Sequence, residues 1–325
     1  MAGPQKAIDD RRRLYMLMSP RSLPYARDGL RSLFARSLER LDLALITDSD
    51  GDRDVMRAEL AAIPRAAEHA TRVFSFDDLA EGEATRFGRY PRLRAFRRGH
   101  PCWRKITDPL LLAGAGEEMV ILDPDLYFPN RFRFEETPEA GVLLMWQKPN
   151  CLLPPEIVRR AISAGVRLAH HVDIGVAHWR LPVDLEWLDW LVGALDCMEA
   201  KSSMHVEAIV WSAIAMRIGG GHLDPAHWLC WRRTQYKRLR MKLGGGGAGM
   251  LRLENLKEAK CFHAGGVAKW WLADAKARGF LDQHGVRAGA GRRIPYVELT
   301  PEAYEREQSL KTLLRRMGYY ALFPA

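Results

Sequence analysis

Residues 117–130 read EEMVILDPDLYFPN. Met119–Leu122 is an uninterrupted apolar run, the composition of a strand buried on both faces. Asp123, Pro124 and Asp125 follow at once. An ionised carboxylate buried without a partner is costly, so two at the end of such a strand call for one. Residues i and i+2 of an extended chain point the same way. The proline fixes its own φ and biases Asp123 toward an extended conformation. Two like charges so placed repel, and a divalent cation with a preference for hard oxygen ligands removes the difficulty. The competing reading is an ordinary Asp-Pro turn after a strand.

Outward from this strand, apolar runs alternate with helical patterns. Leu14–Met18, Leu41–Thr47, Arg72–Phe76, Gly141–Trp146 and Val172–Ala177 read as strands. Ala26–Leu38, Val55–Ala61 and Trp103–Ala113 read as helices between them. That alternation predicts an α/β fold with a mainly parallel sheet, whose ligands bind beyond the carboxyl ends of the strands. Leu185–Leu195, His205–Arg217 and Pro301–Arg316 read as further helices, the last capped by Thr300. Gly244–Gly249, GGGGAG, follows the basic run 232–242 and reads as a flexible loop, or as a glycine-hinged lid over an anionic ligand.

The chain has 325 residues, 47% of them hydrophobic, enough for one large domain with embellishments. No apolar run is long enough to span a membrane, and the first twenty residues lack the apolar core of a signal peptide. The five cysteines, Cys102, Cys151, Cys197, Cys230 and Cys261, form no CxxC pair, which predicts free thiols in a reducing cytoplasm. The formal charge of +9 favours anionic partners. Basic residues recur at 11–13, 94–98 and 232–242, and a solvated basic face is the simplest account of them.

The segment ILDPDLYFPN resembles the DxD strand of the GT-A glycosyltransferases. Residues 261–270, CFHAGGVAKW, resemble the His-x-Gly-x-x-Lys-Pro-Trp signature of the glycogenin-like and lipopolysaccharide-galactosyltransferase families. His263, Gly265, Gly266, Lys269 and Trp270 carry that likeness, with the lysine shifted by one and alanine, not proline, among the neighbours. The resemblance spans residues 12–275 or so. It implies a GT-A fold with a catalytic domain at 1–275, a nucleotide-sugar half at 12–130, an acceptor half at 131–275, and a C-terminal helical extension at 276–325. Asp123, Asp125 and His263 would hold manganese or magnesium. Tyr25, Asp48, Asp123, Gly265, Gly266 and Lys269 would bind the nucleotide-diphosphate sugar, a UDP-sugar by resemblance.

Other pieces match in order. Arg21–Tyr25 with Ser32 looks like the nucleotide loop and first helix, and Leu45–Asp50 like the second strand. Arg104 or Lys105 stands where related transferases keep a basic residue near the sugar. Asp173-Ile174-Gly175-Val176 resembles the family's Asn-x-Gly-Val step, and Glu207 falls where retaining members carry acidic and amide residues. Glu207, Asp173 and Lys105 are the expected catalytic residues. In an inverting enzyme Glu207 or Asp173 would be the base; in a retaining one Glu207 would orient the sugar.

The expected activity is hexosyl transfer to a glycan, lipid-linked or small-molecule hydroxyl acceptor in the cytoplasm, at the inner face of the membrane if the product is a bacterial surface glycan. No nucleic-acid signature is present; a non-catalytic nucleotide-sugar or nucleic-acid binder is the alternative, with the charge as its only separate support. A sugar nucleotidyltransferase would need a glycine-rich loop after the first strand, and MSPRSLPY has none. Trp187, Trp190, Trp211, Trp228 and Trp231 read as core residues, or as a sugar-stacking platform.

Overall fold

The structure, a computed structural model, describes residues 11–114, 116–180 and 183–323. Residues 1–10, on which half of the signal-peptide reading rests, lie outside them. Among the described residues the strands are β1 (Arg12–Leu17), β2 (Leu41–Ile46), β3 (Ala70–Phe74), β4 (Glu118–Leu122), β5 (Leu126–Tyr127) and β6 (Arg131–Phe132). They continue with β7 (Val142–Trp146), β8 (Val172–Arg180), β9 (Gly220–His222), β10 (Trp228–Cys230), β11 (Cys261–His263) and β12 (Val286–Arg287). The main sheet has seven strands in the order β3-β2-β1-β4-β8-β7-β9. It is mainly parallel and flanked by helices, as the alternation predicts.

Strand β8 departs from that pattern. It runs three residues further than expected and pairs antiparallel with both β4 and β7. An apolar run carries no sign of its direction, which depends on the connection that precedes it. Here the helix Pro155–Ser163 and the turn before His171 return the chain along the sheet the other way. The start of β8 thus reaches the carboxyl end of β4, and Asp173 arrives beside the opening motif.

The opening strand is buried on both faces. Met119 and Ile121 join one core with Tyr15, Trp103, Trp179 and Trp211. Val120 and Leu122 join the other with Leu14, Leu43, Phe34 and Trp228. Period-2 alternation sends successive side chains to opposite layers, so every residue of such a strand is apolar. Trp211, Trp228 and Trp231 are core residues; Trp190 is exposed. The helix Leu23–Arg36 packs on this sheet, and at Gly29 a Cβ would lie 2.2 Å from the Leu126 carbonyl oxygen. The close approach sets that helix directly against the loop carrying Asp123 and Asp125.

Beyond the helix Leu272–Ala277 the chain runs without helix until Pro301. Ile294 bridges to His222 and Glu298 to Ala169. Leu299 and Tyr304 then enter the larger core. The Thr300 hydroxyl accepts from the Ala303 N–H at 3.2 Å, the cap the sequence predicts for helix Pro301–Arg316.

Inside the sheet, His178 of β8 is fully buried. Its Nδ1 lies 3.3 Å from the Thr137 hydroxyl, while Nε2 has no hydrogen bond. Burial, then the cations Arg12, Lys260 and Arg293, push its pKa down to about 3, against a smaller opposing contact with the Glu135 backbone. The unfolded chain therefore binds a proton between about pH 6.5 and 3 that the native state refuses. Stability is complete above the unfolded value and falls as the pH drops through this window. For this histidine alone a loss of about 2 kcal/mol is expected between about pH 7.5 and 5, while Glu207, whose pKa is raised to about 8, contributes in the opposite sense over the same range. The pH dependence of the wild-type denaturant midpoint minus that of His178→Leu measures it, and a difference near zero would remove His178 from the account.

Candidate functional site

Sequence-distant segments meet at the carboxyl end of β4. Strand β11 pairs antiparallel with β5, placing His263 opposite Leu126, the residue after Asp125. The Ala264 N–H donates to the Asp125 carbonyl at 3.0 Å, locking the two motifs together. On the other side the Asp123 N–H donates to the Gly175 carbonyl at 2.9 Å. Gly175 is the residue the His263 ring needs: a Cβ there would lie 2.6 Å from Nδ1.

Asp123, Asp125 and His263 each offer a ligating atom, all within 4.8 Å of one another. His263 Nε2 is 3.2 Å from Asp125 Oδ1 and 3.8 Å from Asp123 Oδ2. Although that nitrogen is near, Asp125 Oδ1 is buried without a well-formed hydrogen bond. A buried carboxylate oxygen lacking a donor, with a second carboxylate and an imidazole aimed at the same point, is a donor set that fits a hard divalent cation. The other ring nitrogen, Nδ1, donates to Asp173 Oδ1 at 2.8 Å, and the same oxygen accepts from the Gly175 N–H at 3.0 Å. Burial alone would lower the His263 pKa, but Asp173 and Asp125 outweigh it and hold it well above the ordinary value. A second group, Asp173 with Cys230 and His263, shares this histidine but lies wholly buried.

Lys105 lies between two carboxylates. Its Nζ donates to Asp123 Oδ1 at 2.6 Å and lies 3.0 Å from Glu207 Oε2. Glu207 is buried, and desolvation pushes it up to about 8 against the pull of Lys105. Its other oxygen accepts from the Trp211 indole at 3.3 Å. Burial likewise raises Asp123, opposed by Lys105, whereas His263 brings Asp125 down despite its burial.

Beside this cluster a cavity of about 160 Å³ is lined by Tyr25, Asp48, Cys102, Arg104, Lys105 and Asp123, among others. Asp123 belongs to both, so the cavity opens onto the acidic cluster. Arg104 pairs with Asp48. Lys269 is half-buried, with its Nζ 4.7 Å from the Tyr25 ring centre, and Trp270 meets Tyr25 edge-on at 5.1 Å. Gly266 has φ +66°, and no atom lies within 4 Å of where its Cβ would be. The Ser32 hydroxyl is buried, donating to the Gly29 carbonyl and accepting from the Phe128 N–H, so it ties the first helix to the loop. A larger depression of about 510 Å³ lies at the edge strand β3, between Arg57 and Arg72, with no carboxylate or histidine among its lining.

The structure thus brings Asp123, Asp125, His263, Asp173, Lys105 and Glu207 to one point, with Tyr25, Asp48 and Lys269 around the adjoining space. Cys230 and Gly175 complete the surroundings of His263. Only the close contact at Gly175, visible in three dimensions, explains that glycine; nothing in WLCW singles out Cys230.

No protein-family model matches the sequence, and no curated protein does. The chain is similar to several solved structures. Mouse xyloside xylosyltransferase 1, in its apo form, shares 14% identity over 79% of this chain and 98% of that one, with a TM-score of 0.46. The galactosyltransferase LgtC, in complex with donor and acceptor sugar analogues, shares 11% over 83% and 92%, with a TM-score of 0.48. Core-mannan synthase A from Aspergillus fumigatus, in a Mn/GDP form, shares 11% over 65% and 72%, with a TM-score of 0.39. These likenesses are remote, and the chemistry of the site rests on its own geometry.

Proposed function

We propose that the chain is a metal-dependent glycosyltransferase that moves a hexosyl group from a nucleotide-diphosphate sugar to a hydroxyl acceptor. The observation that carries this reading is the convergence of Asp123, Asp125 and His263 beside a cavity lined by cations. The identification of UDP as the nucleotide follows from the likeness of residues 261–270 to the family signature.

Asp123, Asp125 and His263 would hold manganese or magnesium, which when bound would act as a Lewis acid toward the diphosphate. The remaining roles belong to the chain itself. Asp173, by accepting from Nδ1, fixes the ring so that Nε2 faces the two aspartates; it is a positioning residue. Lys105 supplies positive charge at the cavity wall, where negative charge develops as the leaving group departs. Lys269 and Arg104 add charge near the nucleotide, and Tyr25 offers a ring face beside Asp48. Glu207 takes up a proton near neutrality, which suits a hydrogen-bonding contact to the sugar.

With manganese present, UDP should raise the melting temperature. Saturation to about 100 times Kd corresponds to about 2.7 kcal/mol of stabilisation. Asp125→Ala should abolish the shift while leaving the metal-free melting temperature nearly unchanged. A wild-type protein indifferent to every nucleoside diphosphate with metal would overturn the proposal.

A further inference from the structure

Two helices remote in sequence carry the same exposed pattern. In Gln235–Lys242 and the residue after it, Tyr236, Leu239 and Leu243 are 60%, 48% and 78% exposed. In Pro301–Arg316 and its cap, Leu310, Leu313 and Met317 are 56%, 53% and 71% exposed. Both sets are spaced i, i+3 and i+7, so each forms a stripe along one side of its helix. Large apolar residues in regular rows on a surface mark an interaction site.

The first helix touches the short segment 319–323 that follows the second. Arg238 donates to the Phe323 carbonyl at 3.3 Å, the Lys242 ammonium stands 5.3 Å from the Phe323 ring centre, and Tyr319 bonds to Gln235. The first helix and the last turns of the second are basic. Beside the buried Lys237, residues 235–243 hold Arg238, Arg240 and Lys242 without an acidic residue, and 309–323 hold Lys311, Arg315 and Arg316, also without one. The nearest acidic groups are already engaged: Glu254 with Lys237, Glu305 with Arg159, Glu307 with His170. After Leu243 the chain turns through Gly244 at φ +84°, leaving the leucine at a tip.

We infer that this face docks on an anionic lipid bilayer, its apolar stripes entering the interface and its cations meeting the headgroups. A second copy of the chain is the poorer partner, because a two-fold contact would set cations against cations. A nucleic acid would satisfy the cations and leave the leucines uncovered. The face is also tied to the candidate site, since the Trp231 N–H, just ahead of the first helix, donates to the His263 carbonyl at 2.8 Å. Docking stands without the transferase reading. That it brings the site to a membrane-borne acceptor rests on it.

Co-sedimentation with phosphatidylcholine vesicles, with and without phosphatidylglycerol, tests the inference on the full chain without nucleotide or metal. Binding is expected only with phosphatidylglycerol, and is expected to weaken in high salt. Leu239→Asp with Leu243→Asp, and separately Arg240→Glu with Lys242→Glu, should each lower it by about tenfold or more. Their melting temperatures and UDP–manganese shifts should match the wild type, so a failure of docking and a failure of the transferase reading are told apart. Wild-type protein left in the supernatant with anionic vesicles would overturn the inference. So would variants that bind as well as wild type, or a dimer in solution that Leu243→Asp dissociates.

Discussion

Lys105→Met is expected to lower glycosyl transfer by about 10²–10³ in kcat, the usual cost of removing one preorganised electrostatic contact from a closed site. Its ammonium touches Asp123 and Glu207 and lines the cavity into which the diphosphate would fit. Burial alone would drive its charge off, but the two carboxylates hold its pKa well above the ordinary value. It is therefore a fixed positive charge in a place that excludes water. Methionine keeps the length of the stem and removes only the charge. The fold should survive, because Glu207, already pushed up to about 8 with Lys105 beside it, holds its proton more firmly once that cation is gone. Asp125 and His263 contact each other and not Lys105, whose direct partner among the three candidate ligands is Asp123 alone, so the manganese-dependent UDP shift should persist even if reduced. Loss of kcat with that shift retained is the expected result. A variant transferring sugar within a few-fold of wild type would remove Lys105 from the chemistry, and one that loses the shift would make it a binding residue.

The way Lys105 is held also shows which parts of this molecule its sequence discloses. Met119–Leu122 discloses burial on both faces, since a strand between two cores has no polar position to spare. Thr300 discloses a helix start, because capping is local chemistry. The direction of β8 is not local: nothing within Val172–Arg180 records whether its neighbours run with it or against it. His263 lies in a strand of three residues that gains its place by pairing with β5 across a long stretch of chain, so residues alone could pair the motifs but not supply the contacts. Asp173 shows the limit most clearly. The resemblance makes it a catalytic residue, the base of an inverting enzyme; that its Oδ1 meets the histidine is set by the Gly175 backbone and the antiparallel turn of β8, which no motif records. The run RAFRR at 94–98 reads as solvated charge, yet Arg97 is 1% exposed. Which member of a basic run goes inside depends on acidic partners elsewhere, here Glu83 and Asp108.

That buried arginine carries the largest expected effect on stability. Arg97 Nε donates to Asp108 Oδ1 at 2.7 Å, a second nitrogen pairs with Glu83, and a third donates to the Phe76 carbonyl at 3.0 Å. The guanidinium lies 3.8 Å from the Phe76 ring centre. Asp108 is fully buried, and desolvation raises its pKa even with Arg97 beside it. Arg97→Met removes the cation and strands the Asp108 carboxylate in the core. Breaking one side of a buried pair costs about 3–5 kcal/mol, because the charge left behind has no water to return to. In a chain of this size that is roughly 5–10 °C of melting temperature. The double variant Arg97→Met with Asp108→Leu should recover part of the loss, since an apolar pair replaces a broken ionic one. Glu83 keeps Arg94 and Arg98 as partners, so its share of the cost is the smaller. The network also fixes the helix Arg104–Leu112, whose first turn presents Arg104 and Lys105 to the cavity. Transfer by Arg97→Met, assayed well below its melting temperature, should therefore fall while UDP–manganese binding holds, the same split as for Lys105→Met but smaller. Loss of less than about 1 kcal/mol on Arg97→Met would show that the carboxylates find other partners or protons, and that the helix bearing Lys105 is held by its apolar face alone.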